Sequence, residues 1–255
     1  MNKTIKLTLT SLFLSVLVTA CNSSASSDAK KIEVAPAKKA PAATVSKEST
    51  ASSAVVKDES LKVSSSGFIE GQHYVRVLPE MQTDVAPGKV EVAELFWFGC
   101  PHCYSLEPEV LKYKASHPDY VEFKQVPAML NPSWAADANT FYIADILDPK
   151  GSKGLVDKIF KSIHEQKRRL RSPKAVTRFF VEQGYTEEQI DSVKKSMAFQ
   201  AKLVRAQEFG AGSQANSVPT IIVNGKYRTS PHMAGGNQKI FQVVKMLAEK
   251  ENEAK

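Results

Sequence analysis

The sequence predicts an α/β fold in which an all-helical segment interrupts a sheet, and three features carry that expectation. Residues 90–98 (Val-Glu-Val-Ala-Glu-Leu-Phe-Trp-Phe) are apolar on both alternating faces, as in a central parallel strand covered on both sides. Residues 218–228 hold a second apolar strand, a turn and a short return strand. Between Pro127 and Val218 no strand signal occurs, and apolar residues recur at helical spacing instead.

Residues 74–78 read as a short strand ending at Pro79, and Pro87-Gly88 turns the chain into the central strand. Gly99 closes that strand. A Cys-Pro-His-Cys set then opens a helix through Leu106, Val110, Leu111 and Tyr113. Residues 120–126 alternate as a strand and stop at Pro127, so strand, helix and strand follow in parallel. Helical spacing next covers 134–147 (Trp134, Ala138, Phe141, Ala144, Ile146) and 154–170 (Leu155, Ile159, Phe160, Ile163). Ser172-Pro173 supplies a cap and a first helical residue ahead of Val176, Phe179 and Phe180. Thr186 to Gln189 forms a capping box leading to Ile190, Val193 and Met197. A further helix over 199–209 is expected to end at Gly210 and Gly212. After the strand at 220–223, Asn224-Gly225 makes a hairpin turn to Tyr227-Arg228, and Gly235-Gly236 leads into a helix with Ile240, Val243, Val244 and Leu247.

The chemistry concentrates at residues 100–103. A strand that delivers two cysteines onto a helix start places Cys100 where free backbone N–H groups and the helix dipole favour a thiolate. Pro101 suits the first turn, and His102 adds charge or a hydrogen bond beside the sulfur. Cys103, one turn on and less exposed, is placed to close a disulfide with Cys100. Two thiolates and His102 supply three zinc ligands where a structural site needs four, and no second cluster lies nearby, so no metal is expected. Glu94 is a costly carboxyl in an otherwise apolar strand, which calls for a partner or a role.

Phe96-Trp97-Phe98-Gly99-Cys100-Pro101-His102-Cys103-Tyr104 resembles the active site of the DsbA family of thiol:disulfide oxidoreductases. Residues 218–227 (Val-Pro-Thr-Ile-Ile-Val-Asn-Gly-Lys-Tyr) resemble that family's cis-proline loop and the strand after it, and the likeness extends over roughly residues 69–249. The resemblance implies an α/β, thioredoxin-like fold with an all-helical inserted domain: 67–130 and 213–250 form the thioredoxin-like part and 131–212 the insertion. It implies a redox-active Cys100–Cys103 disulfide with no other cofactor, and a substrate groove bordered by Val218, Pro219, Pro231, His232 and Met233. It gives Glu94 the task of taking or relaying the proton of the buried cysteine, with Lys124 on the next strand as its basic partner. The implied substrates are unfolded exported proteins, the implied electron acceptor is a DsbB-like membrane quinone reductase, and the implied state is a monomer. A disulfide isomerase or reductase of the DsbC type is the rival activity, although residues 22–66 are too polar for the folded dimerisation domain usual in such proteins. A non-catalytic surface lipoprotein is the rival from another class, and the intact cysteine pair argues against it.

The 255 residues suffice for one large domain or two small ones, and 42% apolar residues provide a core. The formal charge of +7 is spread along the chain and points to no particular partner. Lys3 and Lys6 precede an apolar run over 7–20, too short to span a bilayer comfortably, and Val18-Thr19-Ala20-Cys21 resembles a bacterial lipoprotein box. On that reading 1–20 is a signal peptide and lipid on Cys21 ties the chain to a membrane; the alternative is an ordinary secretory leader. The three cysteines are then all assigned, one to lipid and two to the reactive pair. Residues 22–66 contain 12 Ser, 9 Ala and no aromatic residue, a composition that predicts a disordered tether. Its root-mean-square reach would be about 35–40 Å. The expected location is the bacterial cell envelope with the domain in the periplasm. Asn22 favours the outer membrane and a DsbB-like acceptor the inner one. The basic run 167–171 reads as a solvated helix face with no nucleic-acid partner, and His73, His117 and His164 as ordinary histidines.

Overall fold

The computed structural model describes residues 67–255. The expected signal peptide, the expected lipid site at Cys21 and the expected tether lie outside the described residues. Five strands, β1 (Val75–Arg76), β2 (Val90–Phe96), β3 (Val121–Pro127), β4 (Thr220–Val223) and β5 (Tyr227–Thr229), make one sheet in the order β1-β5-β4-β2-β3. β2 runs parallel to β3 and antiparallel to β4, and the remaining pairs are antiparallel.

All of β2 is buried, as its two-sided apolar pattern requires. One face, with Val90 and Val92, packs with Leu106 and Val110 of α1 (Pro101–Ser116) and with Ile240, Val243, Val244 and Leu247 of α8 (Asn237–Glu253). Those four α8 side chains are fully buried, each contributing about 1.5–3 kcal/mol to the docking of the helix. The opposite face, with Ala93 and Leu95, packs against Phe209 and Ala215.

Between β3 and β4 the chain is helical: α2 (Pro132–Leu147), α3 (Leu155–His164), α4 (Pro173–Glu182), α5 (Glu187–Lys195) and α6 (Met197–Gly212). Four of these starts are set by side chains that accept otherwise unpaired N–H groups: Asn131, Ser172, Ser196, and Thr186 in a reciprocal box with Gln189; α3 follows Gly154 and has no side-chain cap. A single turn, α7 (Pro231–Ala234), precedes α8. Among the described residues no helix is long and apolar enough to cross a membrane.

Several boundaries differ from expectation. β1 keeps two of its five expected residues, and the chain leaves the sheet edge toward Leu78–Pro79, a cis peptide bond. α3 stops at His164 because the backbone turns at Lys167 (φ 56°), where the Arg168 N–H reaches back to the Ser162 carbonyl; Leu170 is buried from a loop. α6 runs through both glycines to Gly212, which lies against Met81, and the left-handed residue after it is Gln214 (φ 54°). α8 extends to Glu253, beyond the expected limit at 250.

The β4–β5 turn places Asn224 and Gly225 at φ 51° and 67°. The Met81 N–H donates to the Gly225 carbonyl at 2.9 Å, and a Cβ on Gly225 would stand 2.3 Å from the Met81 oxygen. Gly225→Ala is therefore expected to destabilise the protein by about 1–3 kcal/mol, from left-handed backbone and a forced contact together. The readout is a lower urea midpoint with an unchanged slope; an unchanged midpoint would mean that the 81–83 segment yields freely.

Candidate active site

β2 ends at Phe96, three residues carry the chain around, and Cys100 becomes the N-cap of α1, with extended backbone and Pro101 as the first helical residue. The two sulfurs meet different surroundings. Cys103 is fully buried, and Cys100 is 7% exposed. The Cys103 thiol donates a hydrogen bond to the Cys100 sulfur and is the largest influence lowering the Cys100 pKa, to about 6. Backbone N–H groups of Cys103 and His102 and the nearby imidazole add to it, against the opposing effect of burial. For Cys103 burial works first and the bond to Cys100 second, and both hold it as a thiol far above the ordinary range. Both cysteines are reduced in this structure. One sulfur ionises easily and its neighbour does not.

β4 brings the second part of the site. The Val218–Pro219 peptide bond is cis, and the Cys100 thiol donates to the Val218 carbonyl at 3.6 Å. The backbone just before the proline thus faces the reactive sulfur. His102 and Pro101 are exposed beside it. Pro231, His232 and Met233 form α7, capped by the Ser230 hydroxyl, and among the described residues no hydrogen bond links them to the cysteines. The expected groove border at 231–233 is a helical turn.

Beneath the cysteines, Glu94 is 1% exposed and Glu107, on α1, is 3% exposed. The Gln125 amide spans them, donating to Glu94 at 3.0 Å and to Glu107 at 3.2 Å, while Lys114 donates to the Gln125 oxygen at 3.5 Å. The other Glu94 oxygen has no hydrogen-bond partner among the described residues. Burial drives both carboxyls above the ordinary range, and for Glu94 the neighbouring Glu107 pushes the same way. The expected pairing with Lys124 is wrong. The β2–β3 register sets Glu94 opposite Gln125 and Ala93 opposite Lys124, so Lys124 emerges on the other face and pairs with Glu91 at 3.2 Å.

Other parts of the site went unforeseen. Glu107 follows Cys103 by four residues, a spacing that puts it on the same buried helix face and was readable as such. His164 reaches the Phe98 carbonyl at 2.7 Å and stacks on Tyr104 at 4.7 Å, which makes it a fixed part of the site wall. Its partner lies 66 residues away, and no local pattern announces it.

Comparison with known proteins agrees with this geometry. The family model described as Thioredoxin matches residues 86–242. The thiol:disulfide interchange protein DsbA of Pseudomonas aeruginosa is 30% identical over 187 residues, spanning 73% of this chain and 87% of that protein. The protein of the same name from Pseudomonas syringae is 35% identical over 184 residues, spanning 72% and 85%. The crystal structure of Pseudomonas aeruginosa DsbA superposes with a TM-score of 0.69 at 30% identity, covering 74% of this chain and 97% of that one. The expected thioredoxin-like α/β fold is thereby established.

Absorbance titration of the reduced protein is expected to show one thiolate midpoint near 6, from Cys100, and none from Cys103 while the fold persists. A thiol whose folded pKa is depressed contributes stability that is complete above the unfolded pKa, about 8.5, and is lost as pH falls through the folded value. The denaturation midpoint of the reduced form should carry this loss between those limits, and the oxidised form should lack it. A Cys100 midpoint in the ordinary thiol range would contradict the assignment.

Proposed function

The chain belongs to the DsbA family of thiol:disulfide interchange proteins, and we propose that it acts from a lipid anchor as a dithiol oxidase for exported proteins that have yet to fold. Its activity is that of a protein disulfide oxidoreductase. The observation that carries the oxidase reading is the inequality between the sulfurs: an ionisable Cys100 facing the Val218 carbonyl, and a Cys103 that stays protonated. A stabilised Cys100 thiolate favours the reduced protein, which makes the oxidised protein a strong disulfide donor.

The steps balance with residues present. A substrate thiolate attacks the Cys100 sulfur of the Cys100–Cys103 disulfide; the sulfur–sulfur bond breaks and a mixed disulfide forms at Cys100. The displaced electron pair goes to Cys103, which is too deeply buried to hold charge. Glu94, whose raised pKa keeps a proton available and whose ionisation is linked to that of Cys103, supplies that proton. A second substrate thiolate then attacks the substrate sulfur of the mixed disulfide. Cys100 leaves as a thiolate, held by its hydrogen bonds, and two electrons have passed from substrate to protein. The backbone of Val218 offers an extended substrate segment an edge to pair with opposite the cysteines. Reoxidation falls to a DsbB-like membrane quinone reductase, the arrangement the family likeness favours.

The direct test is the reduction potential of the purified protein against a glutathione series, alongside oxidation of a reduced, unfolded substrate. The potential should lie well above the thioredoxin value of about −270 mV, and Cys100→Ala should abolish substrate oxidation. A thioredoxin-like potential would make the protein a reductase kept reduced by another partner, and activity surviving in Cys100→Ala would exclude the mechanism.

The anchor rests on the sequence around Cys21 and on the scarcity of cysteine elsewhere. In cells fed a labelled fatty acid, the wild-type chain should carry label and sediment with membranes, and Cys21→Ser should do neither. A wild-type chain that carries no label would leave the ordinary secretory leader as the explanation for the N-terminus.

A further inference from the structure

The residues between β2 and α1 touch both cysteines through their backbone. The Trp97 carbonyl accepts the Cys100 N–H at 3.0 Å, and a backbone hydrogen bond from Trp97 eases the charged form of Cys103. Wherever Trp97 sits, the two sulfurs follow. Its indole is held on several sides. It lies over Gly99 so closely that a Cβ there would come within 2.3 Å of the ring. It stacks on Trp134 of α2 with centroids 4.5 Å apart and planes at 11°, and the Arg171 guanidinium lies 5.9 Å from its centre.

Stacking and glycine fix the plane of the ring, yet an aromatic stack tolerates sliding and rotation within that plane. Only a directional contact removes this freedom. The indole N–H donates to Asp137 Oδ2 at 2.6 Å, and Asp137, one turn beyond Trp134 on α2, is 4% exposed. A buried carboxyl costs stability unless something is gained from it, and thiol exchange has no use for this one as acid or base. Burial pushes its pKa up; the Trp97 hydrogen bond and the Arg171 charge push it back.

We infer that Asp137 is a positioning residue for the redox pair, acting through Trp97: the inserted helix α2 fixes the indole, and the indole fixes the backbone that holds Cys100 and Cys103. This rests on the oxidoreductase reading of the site, and it adds that the insertion sets how readily the pair is oxidised. Without the Asp137 bond the strand–helix turn loosens, the N–H groups and the Cys103 thiol that stabilise the Cys100 thiolate spread apart, and the reduced form loses its advantage.

The test compares four single variants with wild type by Cys100 thiolate titration and by the equilibrium constant with glutathione. Asp137→Leu removes the acceptor and Trp97→Phe removes the donor. Both are expected to raise the Cys100 midpoint and to shift the glutathione equilibrium at least threefold toward the oxidised protein. Asp137→Asn keeps an acceptor oxygen and should stay within twofold of wild type. Tyr185→Phe deletes a different hydrogen bond of the insertion, to the Leu147 carbonyl at 3.1 Å, and should leave both readouts unchanged. The inference is overturned if Asp137→Leu and Trp97→Phe match wild type, if Asp137→Asn shifts as far as Asp137→Leu, or if Tyr185→Phe shifts equally. Should Asp137→Leu fail to fold, Trp97→Phe decides alone. A wild-type potential in the thioredoxin range would sink the oxidase reading while leaving these differences between variants free to support or overturn the positioning role.

Discussion

One turn of helix separates a thiol that ionises near pH 6 from one that does not ionise while the protein is folded, and the hydrogen bond between them ties the two properties together. The Cys103 proton stabilises the Cys100 thiolate, and the Cys100 charge makes loss of that proton harder still. Much of the surrounding structure serves this pair. Parallel pairing with β3 and antiparallel pairing with β4 bury β2 throughout, so the chain can enter α1 with its second cysteine sealed and its first at the rim. β4 then leads back to the Val218 carbonyl that faces the rim sulfur.

The carboxyls below show what such an arrangement costs. Two buried acids share one neutral amide, and the lysine in reach touches the oxygen of that amide rather than either acid. A cation between them would hold both ionised; an amide satisfies hydrogen bonds without cancelling charge, so at least one proton stays. Well-packed apolar side chains would be expected to stabilise the fold at least as well. In the proposed mechanism the cluster is the local store of the proton that Cys103 needs when the disulfide opens.

The features legible in the sequence were those set by local rules. The continuous apolar run of β2, the capping box at Thr186 and the proline after Cys100 depend on neighbours a few residues away, and each is found where its pattern places it. Misreadings arose where one register step or a long loop decides. Lys124 and Gln125 are adjacent in sequence but face opposite sides of the sheet, so choosing between them as the neighbour of Glu94 required the pairing itself. Of the two glycines that read as a stop for α6, the helix runs through Gly210 and ends at Gly212. The bonds from Asp137 to Trp97 and from His164 to Phe98 cross 40 and 66 residues, and nothing in either segment alone foretells them.

Those two bonds alter how the insertion is to be understood. A helical segment placed between β3 and β4 could simply cover one end of the sheet. Here Phe96, Phe98, Cys100 and Cys103 belong to the same buried cluster as Phe141 of α2, Ile159 and Phe160 of α3 and Phe179 and Phe180 of α4, while most of β2 packs elsewhere. The end of the strand and the start of α1 are therefore core residues of the insertion as much as of the sheet. Apolar packing supplies most of the adhesion but little direction; the hydrogen bonds at Trp97 and Phe98 supply direction at the two residues just ahead of Gly99 and Cys100. A core that holds the redox pair on one side and helix docking on the other couples them, because close-packed interiors transmit small shifts instead of absorbing them.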